Sequence, residues 1–230
     1  MREQLIFILL VAGLNIPVYL ELYKHGLKNK PLWQKSITTV LYWLLAVLTQ
    51  TIAAFIGILY LYIFFYRKQE INDPIRSTDI WNIRLLDVVK TVLLTLGARI
   101  LLIPISYGFT ILLMRFLKLD MVPQDIVVSY SQADLLLRLL MGLDIAVIAP
   151  IVEEFVFRHF LYDKVFFPRM PRFVAALFSA GLFTILHFNI AGIPTFFGLG
   201  LLCTILYEKK GYWAAVTAHS TSNIITLLLI

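Results

Sequence analysis

The chain has 230 residues, 60% of them hydrophobic and 15% charged, with a formal net charge of +6. So apolar a composition, with long uncharged runs, excludes a soluble globular domain and indicates a polytopic membrane protein. The positive charge is not a nucleic-acid footprint. Basic residues cluster at the ends of apolar runs, where anionic headgroups and the positive-inside bias place them. The single cysteine, Cys203, excludes an intramolecular disulfide and reads as a small packing residue.

In chain order, the first apolar run, 5–22, is interrupted by Asn15 and Pro17 and meets no cleavage site before the lysines, so a retained helix is expected. Measured against the roughly 20 residues that span a bilayer, further crossings are expected at 40–66, 88–117, 135–166, 172–188, 194–207 and 212–230, about seven in all. The second and third exceed one bilayer thickness and predict tilt or extension beyond the lipid. Pro104 and Pro150 predict kinks. The one long loop of mixed charge is 67–87, and no internal repeat is visible. The fold class is therefore all-α, a transmembrane helix bundle.

Lysine and arginine set an expected orientation. Arg2, Arg67, Lys68, Arg76, Arg84, Lys164, Arg169, Arg172, Lys209 and Lys210 form the larger group, assigned to the cytoplasm, with the N-terminus inside and the C-terminus outside. Lys118 falls on the other side with Asp120, Asp125 and Asp134, and so do Lys24, Lys28, Lys30 and Lys35. Those four lysines run against the rule.

Polar residues inside apolar runs carry the chemistry, because a charge in hydrocarbon costs at least a few kcal/mol and is a functional-site hypothesis by default. Glu153 and Glu154 are adjacent, and Arg158 follows Glu154 at i+4, acid first, the better order for an ion pair. Glu153 is turned about 100° away, so the two carboxylates must have different neighbours. Glu154 is expected to be neutralised by Arg158 and Glu153 to lack a local counter-charge. Phe183 and His187 share one helix face, as do His219 and Asn223. About the turn near Pro168 and Pro171, Glu153 and His187 come to similar depth, roughly 20 Å in. Each signal has a plain structural reading: an ion pair, a packed core histidine, polar glue between helices. Arg99, Lys90, Arg138 and Asp144 are expected to snorkel or pair, and Gly198 and Gly200 to permit close packing.

Three ordered motifs resemble one family. Ala149-Pro150-Ile151-Val152-Glu153-Glu154-Phe155-Val156-Phe157-Arg158 looks like the first motif of the CAAX protease and bacteriocin-processing (CPBP) family of membrane proteases. Ser179 to His187, with Phe183-x-x-x-His187, resembles the second, and His219-Ser220-Thr221-Ser222-Asn223 the third. His159 departs from the pattern, standing where the family usually carries glycine. The resemblance implies an intramembrane endopeptidase with a glutamate-activated water, its site inside a C-terminal four-helix core. The division expected is 1–130 for N-terminal helices and loops and 131–230 for the catalytic core. On this resemblance Glu153 is the general base, His187 helps bind the water, and His219 and Asn223 donate to the oxyanion. Glu154 and Arg158 support the site. No cofactor is expected. The alternative is zinc on Glu153, His187 and His219, although no His-Glu-x-x-His signature is present. The alternative class is a non-catalytic scaffold or bacteriocin-immunity protein. The partners expected are membrane lipid and a peptide or protein substrate, with no nucleic acid, in a bacterial plasma membrane.

Overall fold

The computed structural model describes residues 2–66, 84–118 and 125–229. The first undescribed stretch lies between the second and third apolar runs, so Arg67, Lys68 and Arg76 lie outside the described residues, as does Asp120 in the second stretch. Among the described residues all regular structure is helical. Three helices are long and apolar enough to cross a bilayer, Gln4–Leu27, Leu85–Leu117 and Leu135–Phe166, and Ile52–Phe65 and Arg172–Ile185 are shorter apolar helices. The protein is a helical membrane bundle.

Helix α1 (Arg2–Leu22) closes with a π-helical stretch, Tyr23–Leu27. The expected 40–66 crossing is two helices, α2 (Leu32–Thr49) and α3 (Ile52–Leu61), the latter continued by a π stretch to Tyr66. They turn at Gln50, which takes φ 55° and ψ −69°, with the Thr51 amide donating to Thr49 O at 2.6 Å. This is the positive-φ γ-turn, a rare and strained conformation outside glycine. A continuous apolar run cannot reveal it, because apolarity sets burial and not direction.

Helix α4 (Leu85–Leu117) stays continuous through Pro104. A short α5 (Asp125–Gln132) precedes α6 (Leu135–Leu143), which Asp134 caps by accepting from the Leu137 amide. From α6 the helix runs on through a π stretch (Asp144–Ile148), α7 (Ala149–Glu154) and a second π stretch (Phe155–Phe166). Pro150 sits directly after the first widened stretch, where its missing N–H cannot serve a regular i−4 bond. Helices α8 (Arg172–Ile185), α9 (Ile193–Lys210) and α10 (Tyr212–Leu228) follow.

The bundle has one strongly basic end. Lys164 Nζ bonds Glu21 Oε2 at 2.8 Å, joining the end of α1 to the end of the long α6–α7 helix. Arg172 Nε meets Glu208 at 3.0 Å, and Lys210 Nζ meets Asp87 at 3.5 Å. Lys24, Lys28, Lys30 and Lys35 therefore stand at the same end as Lys164, Arg169 and Lys210, because the hairpin at Gln50 returns the chain. This corrects the expected orientation: α1 runs toward the basic end, and its N-terminus and the C-terminus of α10 lie at the opposite one.

The main core draws on both halves of the chain, with Val18, Ala54 and Leu61 packed into one cluster with Val152, Phe155, Phe183 and Ala215. Close approach depends on two glycines of α9. A Cβ on Gly198 would lie 2.8 Å from a Leu102 methyl, and one on Gly200 would lie 3.0 Å from the Ala180 Cβ. Cys203 is fully buried beside α10, its Sγ 3.6 Å from Ala215 O.

Candidate active site

Glu153, Glu154 and Arg158 project from the segment where α7 passes into its π continuation. Glu154 and Arg158 are fully buried, their Oε2 and Nε 3.0 Å apart, an ion pair in contact without an aligned hydrogen bond. Arg158 Nη2 donates to Gly200 O at 3.0 Å, and its guanidinium lies 4.7 Å from the centre of the Phe183 ring. The buried cation thus has a carboxylate, a carbonyl dipole and an aromatic face around it, the compensation a dry charge requires.

His219 arrives from α10, with 1% of its surface exposed. Its Nδ1 lies 2.8 Å from Glu154 Oε1, and its Nε2 lies 3.8 Å from Glu153 Oε2. An ionised carboxylate only accepts, so Nδ1–H donates to Glu154 and Nε2 is the nitrogen turned to Glu153. Glu154 is therefore shared by Arg158 and His219, a second partner beyond the one the i,i+4 spacing indicates. Glu153 differs: its side chain is 18% exposed, and Oε2 makes no hydrogen bond within the protein.

His187 does not lie within a helix as expected. Helix α8 ends at Ile185, and the chain leaves it through Phe188, at a positive φ of 47°. The pairing with Phe183 survives: His187 Nδ1 donates to Phe183 O at 2.7 Å, and the two rings are 4.5 Å apart. The imidazole also stacks on Phe196 of α9 at 4.0 Å. Phe183 in turn touches His219 edge-on at 5.3 Å. The aromatic of Phe-x-x-x-His is thus the hub against which Arg158 and both histidines are set, a role that spacing alone does not indicate.

Asn223 lies one turn beyond His219 on α10. Its Nδ2 donates to Ile145 O at 2.8 Å, in the π stretch where the carbonyl ladder is displaced. The signal for this contact was Pro150, five residues on, which disturbs the ladder. His159 is fully buried, its ring 4.9 Å from Phe155 and its Nδ1 3.4 Å from the Tyr207 hydroxyl, on the basic side of the site. Of the other intramembrane charges, Asp144 accepts from Thr51 at 2.9 Å and Arg99 donates to Thr226 at 3.0 Å. Among the described residues no group of three or more His, Cys, Asp or Glu side chains is placed to hold a metal ion.

A helical membrane bundle that encloses two carboxylates, an arginine and two histidines has the makings of an intramembrane enzyme. Residues 135–225, the stretch that carries all of these groups, match the family described as type II CAAX prenyl endopeptidase Rce1-like, in agreement with the CPBP resemblance of the three motifs. At family level the match supports a membrane peptidase of the CAAX-protease type. Comparison with curated proteins gives no significant match, nor does comparison with solved structures.

Proposed function

We propose that the protein is an intramembrane endopeptidase that hydrolyses a peptide bond of a membrane-associated peptide or protein with a water activated by Glu153. The observation that carries the reading is the unequal treatment of two adjacent glutamates. Glu154 is dry and tied to both Arg158 and His219, whereas Glu153 is partly open and faces His219 Nε2 across 3.8 Å. That gap is too long for a direct hydrogen bond and suits a bridging oxygen.

In this cycle Glu153 takes a proton from water as the oxygen adds to the scissile carbonyl carbon, and His187 helps to hold that water. His219 Nε2–H and the second N–H of Asn223 receive the oxyanion. Because Nδ1–H is engaged by Glu154, a donor at Nε2 means an imidazolium. One imidazolium and one guanidinium beside two carboxylates leave the cluster neutral, which suits a dry interior. The tetrahedral species collapses with cleavage of the C–N bond, and Glu153 returns its proton to the leaving amine. The reaction is proposed to need no cofactor and to take place in a bacterial plasma membrane.

The test is peptidase turnover by purified protein in lipid, with elemental analysis. Glu153→Gln should abolish cleavage while the fold persists, and the wild type should work after exhaustive chelation. Near-normal turnover by Glu153→Gln, or one zinc per chain lost together with activity in His219→Ala, would overturn the reading.

A further inference from the structure

Away from the candidate active site, α1 and the α2–α3 hairpin form an open groove of about 520 Å³. Beside it α1 packs closely on α3 at Gly57: a Cβ there would lie 2.8 Å from a Val18 methyl and 2.9 Å from one of Leu22. Trp33, Ile37, Leu41 and Leu45 line the groove along one face of α2, at steps of four residues. From Trp33 to Leu45 the helix rises about 18 Å, a little more than the roughly 15 Å that one leaflet gives to the hydrocarbon core. The cavity is lined mainly by apolar side chains.

Its mouth has the opposite character. Lys30 is the one charged residue in the lining, and Lys24 and Lys28 stand exposed on the preceding turns. Glu21, the only acid between residues 20 and 35, is already engaged by Lys164 at 2.8 Å and by His25 at 3.3 Å. A positive rim over an apolar slot is complementary to an anionic headgroup carrying an acyl chain.

We propose that this groove is a binding site for one anionic phospholipid, with an acyl chain between α2 and α3 and the phosphate against Lys30. The site lies outside the family-matched segment, at residues 19–60 against 135–225, and its existence does not depend on catalysis.

The experiment is native mass spectrometry of delipidated protein, with phosphatidylglycerol and phosphatidylcholine of identical acyl chains added back separately. One phosphatidylglycerol per chain should be retained, at lower concentrations than phosphatidylcholine. Lys30→Gln should weaken that retention about fivefold, the effect of one lysine on an anionic headgroup. Leu41→Trp keeps every charge but fills the slot and should abolish retention. Ile37→Trp, on the same face one turn away, repeats the test should Leu41→Trp fail to fold. Glu153→Gln should bind lipid like the wild type. Equal retention of both lipids, no loss in the filled-slot variants, or a second protein chain in place of lipid would overturn the proposal.

Discussion

Two neighbouring glutamates acquire different chemistry here because a helix turns about 100° per residue. Glu154 points into the bundle, where Arg158 and His219 both use it, and Glu153 points to the open side. Removing the anion at 154 leaves a guanidinium dry and unpaired, so Glu154→Gln should destabilise the protein by about 3–5 kcal/mol. Thermal unfolding in detergent measures this, and the double variant Glu154→Gln/Arg158→Met should recover much of the loss without restoring turnover. A fully stable but inactive Glu154→Gln would mean that the two carboxylates have exchanged roles. Asn223 has a double position, clamping Ile145 O and standing one turn from His219. If its second N–H serves the oxyanion, Asn223→Ala lowers kcat by about 10²–10³-fold with KM little changed. A fall in stability with kcat intact would leave Asn223 as a clamp only.

At the scale of elements, irregular backbone is where helices are set against one another. The γ-turn at Gln50 is held by contacts from two sides: Asn15 Nδ2 donates to Gln50 O at 2.7 Å, and Thr51 donates to Asp144. Asn15 is fully buried, also donates to Val11 O and accepts from the Tyr42 hydroxyl at 3.1 Å. Hydrogen bonds between membrane helices contribute roughly 0.6 kcal/mol each, so Asn15→Leu should cost about 1–2 kcal/mol and loosen the hairpin tip. Hydrogen exchange at 48–54 reports this directly. Unchanged protection there would mean that α1 does not hold the turn. The termination of α8 at Ile185 has a comparable effect, since it frees His187 to lie between the Phe183 and Phe196 rings.

At the scale of the molecule, Lys24, Lys28, Lys30 and Lys35 join Lys164 and Lys210 at one end because the hairpin reverses the chain once more than a seven-crossing path does. The positive-inside bias then holds for the four lysines that had run against it. Single cysteines at Lys28 and Arg169, made in a Cys203→Ser background, should react with a membrane-impermeant thiol reagent from the same face, and one at Asp134 from the other. Labelling of positions 28 and 169 from opposite faces would refute this arrangement. One continuous core shared by α1, α3 and the C-terminal helices also means that the N-terminal helices support the site rather than stand beside it.

By itself the sequence determined the class of the protein and its polar residues, since composition, run length and i,i+4 spacing are properties of the linear chain. The lipid setting followed from apolar runs, the Glu154–Arg158 pair from one turn of helix, and the resemblance to a family of membrane proteases from three ordered motifs. Only the tertiary structure decided how each glutamate meets His219, because helical periodicity gives an angle and not the neighbour at that angle. It alone placed the reversal at Gln50, where no glycine or proline marks the turn and contacts from Asn15 and Asp144 hold a strained backbone. It also revealed the slot beside Gly57, a space that exists only between helices and so has no trace in any one of them.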